Sequence, residues 1–312
     1  MRSYQKIQQP YKPEVQDIWK HYIYVEEKVD GSQFRIEIDD KGQLFCGSHH
    51  QELSMVDSMF KLATEQARKH FNNIVATEGD ILTFFCEYLS KPKQNAIPYN
   101  RVPKDNLVIF DIIKKNKYLA PKDKSAFGDI IGLEVVPLLW EGKGEEVTEE
   151  MKQQWLTIPS FLGHQPGFDR IEGFIVKSYD GYYDIGTYPQ YQYLDHPWMC
   201  TKIVNEAFKE KNKEENPTRG NEIQQIKDAY RNEARYMKAI QHCMEKGLSK
   251  NEMADLQYIV PRVKEDIVEE DKEIIKDALW RIYSPEITGY AVKGLPEFYK
   301  KFLMETLHKG GE

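Results

Sequence analysis

Apolar and polar residues alternate along much of the first two hundred positions. From Tyr22 to Ile38 the alternation breaks at Asp30-Gly31 and resumes, which predicts strand, tight turn and strand, a β-hairpin. A short strand is predicted at Gln43 to Gly47. Others follow at Ile81–Tyr88, Leu107–Ile113, Leu133–Leu139, Gly173–Ser178 and Met199–Val204, with prolines between them. Met55, Met59, Leu62, Ala63 and Ala67 recur like one face of a helix over Ser54 to Asn72. Strands interspersed with occasional helices predict an α+β domain.

After Lys209 the pattern changes. Residues 209–221 (KEKNKEENPTRGN) are polar and broken by Pro217 and Gly220, as a linker would be. Beyond them Ile223, Ile226, Tyr230, Ala234, Met237, Ile240 and Met244 recur at helical spacing, ending at Gly247 as a C-cap. Ser249-Lys250-Asn251-Glu252 reads as a capping box opening a second helix, and Asp271 to Tyr283 and Pro296 to His308 predict two more. The expected organisation is therefore residues 1–213 as one domain and 214–312 as a small all-helical C-terminal domain.

Composition narrows the classes. The 312 residues are 40% hydrophobic and 30% charged, a charge-rich globular chain. No apolar run reaches the roughly 18 residues of a membrane-spanning helix, and the N-terminus lacks the apolar core of a signal peptide, so a cytoplasmic protein without membrane association is expected. Cys46, Cys86, Cys200 and Cys243 are too scattered for a disulfide framework or a zinc site. A net charge of −7 argues against nucleic-acid binding by bulk electrostatics but leaves room for a local basic channel.

The segment Glu26-Glu27-Lys28-Val29-Asp30-Gly31-Ser32-Gln33 carries the candidate chemistry. One reading is a hairpin whose lysine points to solvent. The other is a lysine nucleophile at the lip of a pocket, with the amides of the turn facing a phosphate. From a reference pKa of about 10.4, only about a thousandth of such a lysine is neutral near pH 7.5, so its surroundings must favour the amine. Four further segments stand out: Phe84 to Leu89, with Glu87 inside an apolar strand; Leu107 to Ile112, ending in Phe110-Asp111-Ile112; Ile171 to Ser178, with Glu172 and Lys177 at its ends; and Cys200 to Asn205, bearing Lys202.

In this order and spacing the five segments resemble the covalent nucleotidyltransferase superfamily of ATP-dependent ligases and capping enzymes. Lys-x-Asp-Gly is its first motif, Glu-Gly-x-x-Val-Lys its fourth, and the likeness spans Tyr24 to Phe208. Leu133 to Pro137, Pro159 to Gly163 and Lys202 to Phe208 are similar to the RNA ligase 2 branch, as is a helical tail in place of an OB-fold.

The resemblance implies a ligase adenylyltransferase domain with mixed antiparallel sheets. It implies an ATP-dependent RNA ligase that seals 5′-phosphate and 3′-hydroxyl RNA ends through lysyl-AMP and RNA-adenylate, in the repair of nicked or duplex RNA, using Mg2+ or Mn2+ and no obligate protein partner. Lys28 is then the nucleophile. Glu27 contacts the adenine region, Gln33 the phosphate or ribose, Glu87 the ribose, and Phe110 stacks on adenine. Glu172 takes part in metal and nucleotide contact. Lys177 and Lys202 hold phosphate oxygens, and the charge of Lys202 lowers the pKa of Lys28.

Two positions depart from the pattern. Val204 stands where the last motif usually has a second lysine, and residues 45–50 lack the arginine common after the first motif, for which Arg35, His49 or His50 could substitute. The alternatives are a small DNA ligase, a capping guanylyltransferase, or an RNA-binding module on a degenerate ligase fold. Arg231, Arg235 and Lys238 form a candidate phosphate-facing cluster in the tail, while residues 1–213 are expected to contain the whole nucleotide pocket.

Overall fold

The computed structural model describes residues 1–49, 52–53, 59–92, 97–165, 170–182, 198–205, 222–231, 233–250 and 252–309. Among them, ten strands form two sheets. The first sheet has β1 (Tyr22–Lys28), β8 (Leu138–Lys143), β9 (Gly173–Tyr182) and β10 (Trp198–Val204), in the order β10-β9-β1-β8 and antiparallel throughout. The second has β2 (Ser32–Asp39), β3 (Leu44–Ser48), β4 (Ile81–Tyr88), β5 (Leu107–Lys114) and β6 (Lys117–Tyr118), in the order β3-β2-β4-β5-β6. Here β7 (Glu134–Val135) pairs parallel with β5, which makes this sheet mixed.

The predicted strands are present, but two of their connections differ from the sequence reading. β1 and β2 do not pair with each other, so Asp30-Gly31 is not a hairpin turn. It hands the chain from the first sheet to the second. The single strand expected over Leu133–Leu139 is likewise split into β7 and β8, in different sheets. Pro137 lies at that break. It has no N–H to continue a ladder, and its carbonyl instead accepts from the Glu27 N–H at 3.2 Å.

Each sheet covers its own apolar layer. The second packs Phe34, Ile36, Phe84 and Ile109 against Ala63, Ala67 and Phe71 of α1 (Lys61–Phe71). The first packs Ile23, Val25, Phe174 and Val176 against Trp155 and Leu156 of α3 (Glu149–Leu156). Between the sheets lie Tyr4, Phe85, Ile113, Ile175, Trp198 and Cys200, with Phe110 against them. The expected start of α1 at Ser54, including Met55, lies outside the described residues.

The pattern reading missed α2 (Pro121–Ile131) and α3, although their ends are signalled. Pro121 stands in the first turn of α2, and Gly132 closes it at φ +80°. The Thr148 hydroxyl caps α3, accepting from the Met151 N–H at 3.3 Å.

The elements described from residue 222 onward are all helices. The helix expected from Ile223 to Met244 is broken into α4 (Glu222–Ala229) and α5 (Glu233–Glu245), with Gly247 following at φ +67°. Arg231 therefore lies between helices. Arg235 is 2% exposed on the buried stripe of α5 with Ala239 and Cys243, so it does not belong to a phosphate-facing surface as the sequence suggested. The capping box exists but uses Glu252 and Asp255, while Asn251 lies outside the described residues. The helix expected at Asp271 is an interior part of α6 (Leu256–Ala291), and the last is α7 (Leu295–Lys309). The chain divides into two compact units: Met1–Glu210 with Glu233–Arg262, and Lys211–Asn232 with Val263–Glu312. The linker at 209–221, and with it the expected boundary at 213, lies outside the described residues.

Candidate active site

Lys28 is the last residue of β1, opposite Gly173 of β9, which in turn faces Val204 of β10. Glycine is required at 173 because a Cβ there would stand 2.2 Å from the Ile203 carbonyl oxygen. That close strand approach carries Glu172, 144 positions from Lys28 in sequence, up to the lysine. Lys28 Nζ donates to both Oε1 and Oε2 of Glu172 at 2.6 Å. The two side chains are 25% and 14% exposed. Lys28 is thus a paired, largely buried lysine, and the solvent-pointing hairpin lysine is excluded.

Burial is the largest single influence and lowers the Lys28 pKa, but Glu172, Asp30 and Glu87 together raise it further, and it ends above its ordinary value. Three carboxylates thus outweigh burial, against the expectation of a lowered amine pKa. The charge of Lys202 is felt by Glu172.

The Asp30–Ser32 turn is pinned. The Asp30 N–H donates to the Tyr99 hydroxyl at 2.8 Å, and Asp30 Oδ2 accepts from the Ile97 N–H at 2.9 Å. Gly31 packs so closely on the end of β4 that a Cβ would lie 3.0 Å from Glu87 Oε2 and 2.9 Å from Leu89 Cδ1. Glu87 in β4 faces Gln33 in β2. Burial pushes the Glu87 carboxyl up; Lys28 pulls it down, but Glu172, Asp30 and Glu245 push it further, and it ends well above the usual carboxylate range. Its Oε2 has no hydrogen-bond partner among the described residues, nor has Gln33 Nε2, while Gln33 Oε1 meets His49 Nδ1 at 2.8 Å.

Other expected residues are committed elsewhere. Glu27 is buried against the Pro159–Gly163 segment: the Ser160 hydroxyl donates to Oε1, and the Phe161 N–H to Oε2 at 3.2 Å. Burial raises its pKa to about 7 against those two hydrogen bonds. Arg35 is also buried, donating to the Ser48 carbonyl at 2.6 Å and the Arg2 carbonyl at 2.7 Å, so it holds the N-terminal segment rather than replacing a pocket arginine. His50 lies outside the described residues.

Lys177, expected at a phosphate, is paired within a second cluster. Its Nζ stands 2.6 Å from Glu26 Oε2 and 2.9 Å from Asp111 Oδ2, and donates to the Phe110 carbonyl at 3.0 Å. Lys124 of α2, fully buried, pairs with Glu26 Oε1 at 2.6 Å and Asp111 Oδ1 at 3.7 Å, and donates to the same carbonyl at 2.7 Å. The Tyr4 hydroxyl donates to Asp111. The half-buried Phe110 ring meets Tyr4 edge-on at 4.9 Å. Burial pushes Glu26 up, yet Lys124 and Lys177 pull it down further, leaving it below its ordinary value. Sequence reasoning missed Glu26 and Lys124, since a charged residue in a polar stretch carries no local mark of burial.

All four cysteines are buried and none forms a disulfide. Among the described residues, no group of three His, Cys, Asp or Glu side chains is disposed to hold a metal ion, and no helix is long and apolar enough to cross a membrane.

A family model described as RNA ligase matches residues 21–189, more than half of the chain. No curated protein matches it. Among solved structures, a Naegleria gruberi RNA ligase with PPi is similar at TM-score 0.48 and 17% identity, covering 67% of this chain and 56% of that one. A substituted form of that ligase with ATP and Mn gives 0.48 and 15%, covering 66% and 57%. This chain therefore spans a little over half the length of those solved ligases.

Proposed function

This chain belongs to the RNA ligase family, and from that premise we propose that it joins RNA 5′-phosphate and 3′-hydroxyl ends at the expense of ATP, with Lys28 as nucleophile. The observation that carries this reading is the Lys28–Glu172 pair at 2.6 Å beside the unpartnered oxygen of Glu87. Lys28 loses its proton when Glu172 is engaged elsewhere, because burial, which lowers its pKa, then meets less opposition. The amine lone pair attacks the α-phosphorus, the bond to the bridging oxygen breaks, and pyrophosphate leaves with the electron pair. The AMP then passes from Lys28 to the RNA 5′-phosphate oxygen, and a 3′-hydroxyl displaces AMP to form the phosphodiester. The substrate proposed is RNA ends held in a nicked duplex.

The carboxylates suit a hard divalent cation, Mg2+ or Mn2+, bound through one or two carboxylates together with substrate phosphates rather than in a protein cage. Glu172 would hold it. When bound, such an ion would supply positive charge against the phosphate oxygens. Lys202, whose charge reaches Glu172, is proposed to bear on phosphate oxygens. Gln33 Nε2 and the Glu87 carboxyl are proposed to meet the ribose or phosphate, and the Phe110 ring the adenine, where stacking is tolerant of edge contacts on its other side.

Incubation with α-labelled ATP and Mg2+ tests the reading. The full chain should become labelled, Lys28→Ala should not, and nicked duplex RNA should be sealed. A wild-type chain that binds RNA but takes no label would favour a binding module, and labelling by GTP in preference to ATP a capping guanylyltransferase.

A further inference from the structure

Helix α5 follows the last of the matched motifs in sequence, yet it groups with the unit that holds Lys28. Its contact is specific. Gln241 Nε2 donates to Ser32 Oγ at 2.8 Å and to the Gly31 carbonyl at 3.3 Å, and to Glu245 Oε1, one turn along the same helix, at 2.9 Å. Glu245 is buried, and its charge acts on Glu87. The helix is seated by the buried stripe of Arg235, Ala239 and Cys243. The turn after Lys28 is thus gripped from two sides, by Tyr99 and Ile97 at Asp30 and by Gln241 at Gly31 and Ser32.

We propose that α5 is part of the lysine-adenylylation site, with Gln241 as a positioning residue that fixes the Asp30–Ser32 turn and, through it, the aim of Lys28. This assignment rests on the reading of Lys28 as nucleophile. It departs from the sequence-based expectation that everything needed to charge the lysine precedes residue 213. Gln241 suits the task because its amide hydrogens meet a backbone carbonyl and a hydroxyl in the turn while Glu245 holds the amide from behind. Gly31 cannot relax towards β4, where even a Cβ would be 2.9–3.0 Å from Leu89, Glu87 and Tyr88, so removing Gln241 frees the turn only away from that wall.

The test uses the full chain and single-turnover labelling by α-labelled ATP, with Gln241→Ala, Ser32→Ala and the double variant. Gln241→Ala should slow labelling at saturating ATP by about tenfold or more while leaving the KM for ATP within about twofold, as misplacing a reacting group does. Ser32→Ala should do the same in part, and the double variant should be no slower than Gln241→Ala, because the two share one bond. Sealing of RNA already carrying a 5′-adenylate, which bypasses charging of Lys28, should fall much less. A role confined to folding would instead lower both steps together. Should Gln241→Ala fail to fold, Ser32→Ala removes the same bond from the other side. Normal labelling by the variants, or equal loss in both steps, would overturn the proposal. A wild-type chain that takes no label would overturn the reading of Lys28 itself.

Discussion

Two charge clusters lie on strands β1 and β9, and they are built differently. Around Lys124 and Lys177, two ammonium groups meet two carboxylates, Glu26 and Asp111, and each of the four carboxylate oxygens lies within 3.7 Å of an ammonium. Around Lys28, the ammonium meets Glu172, on which the charge of Lys202 also acts, with Asp30 and Glu87 close enough to act on Lys28, and one Glu87 oxygen has no hydrogen-bond partner among the described residues. The first cluster is balanced in number, although Asp111 Oδ1, 3.7 Å from Lys124, makes no hydrogen bond among the described residues, and it ties β1 and β9 of one sheet to β5 of the other and to α2. In the second, three carboxyl groups bear on one amine, one of them pushed well above the usual carboxylate range, and on the proposed reading a cation and a polyphosphate complete it. Burial is common to both. On the proposed reading, the difference is between a cluster paired within the protein and a site that its ligands complete.

The largest expected effect that breaks this contrast is at Glu172. Glu172→Ala should slow lysyl-AMP formation a hundredfold or more, of the order found for one lost preorganised charge contact. Because Glu172 raises the Lys28 pKa, the residual activity should also have its alkaline rise shifted to lower pH, which a pH–rate profile reads. Next comes the first cluster. Lys124→Met leaves Glu26 and Asp111 short of a buried partner, and should cost about 3–5 kcal/mol in denaturant unfolding. A loss below about 1 kcal/mol would deny it a scaffold role.

Smaller effects sharpen the picture. Glu87→Gln should be milder than Glu87→Ala, by about tenfold in the labelling rate, if the carboxyl works protonated as a hydrogen-bonding group. Equal losses would instead assign it a charge or metal role. The smallest effect concerns Glu27, whose pKa is raised by burial to about 7. A carboxyl raised in the folded state contributes stability that is full below its unfolded value, near 4.5, and is lost as pH rises through about 7. Unfolding free energy should therefore fall less steeply between those limits in Glu27→Gln than in the wild type.

The strands and the residues of the Lys28 cluster were legible because each carries a local mark. Lys28 precedes a tight turn, Glu87 interrupts an apolar run, and Glu172 stands before an obligatory glycine. The partition into two sheets was not legible. Asp30-Gly31 has every local feature of a hairpin, and only the pairing of β1 with β9 and of β2 with β4, both distant in sequence, turns it into a crossover. The first cluster was hidden for a related reason. Lys124 sits in PKDKSAFGD and Glu26 in a strand of alternating polarity, so each looks solvated until the fold brings 26, 111, 124 and 177 together. Arg235 misled in the same way, as a helix charge whose burial depends on what α5 packs against.

The contrast between the clusters is tested most directly by measuring ATP labelling and unfolding free energy on Lys28→Met and Lys177→Met side by side. Lys28→Met should take no label yet stay within about 1–2 kcal/mol of wild-type stability, since Glu172 can protonate rather than remain as an unpaired charge. Lys177→Met should lose about 3–5 kcal/mol, with the molecules that remain folded still becoming labelled. A stable Lys177→Met that takes no label, or a Lys28→Met that does, would contradict the division between scaffold and chemistry.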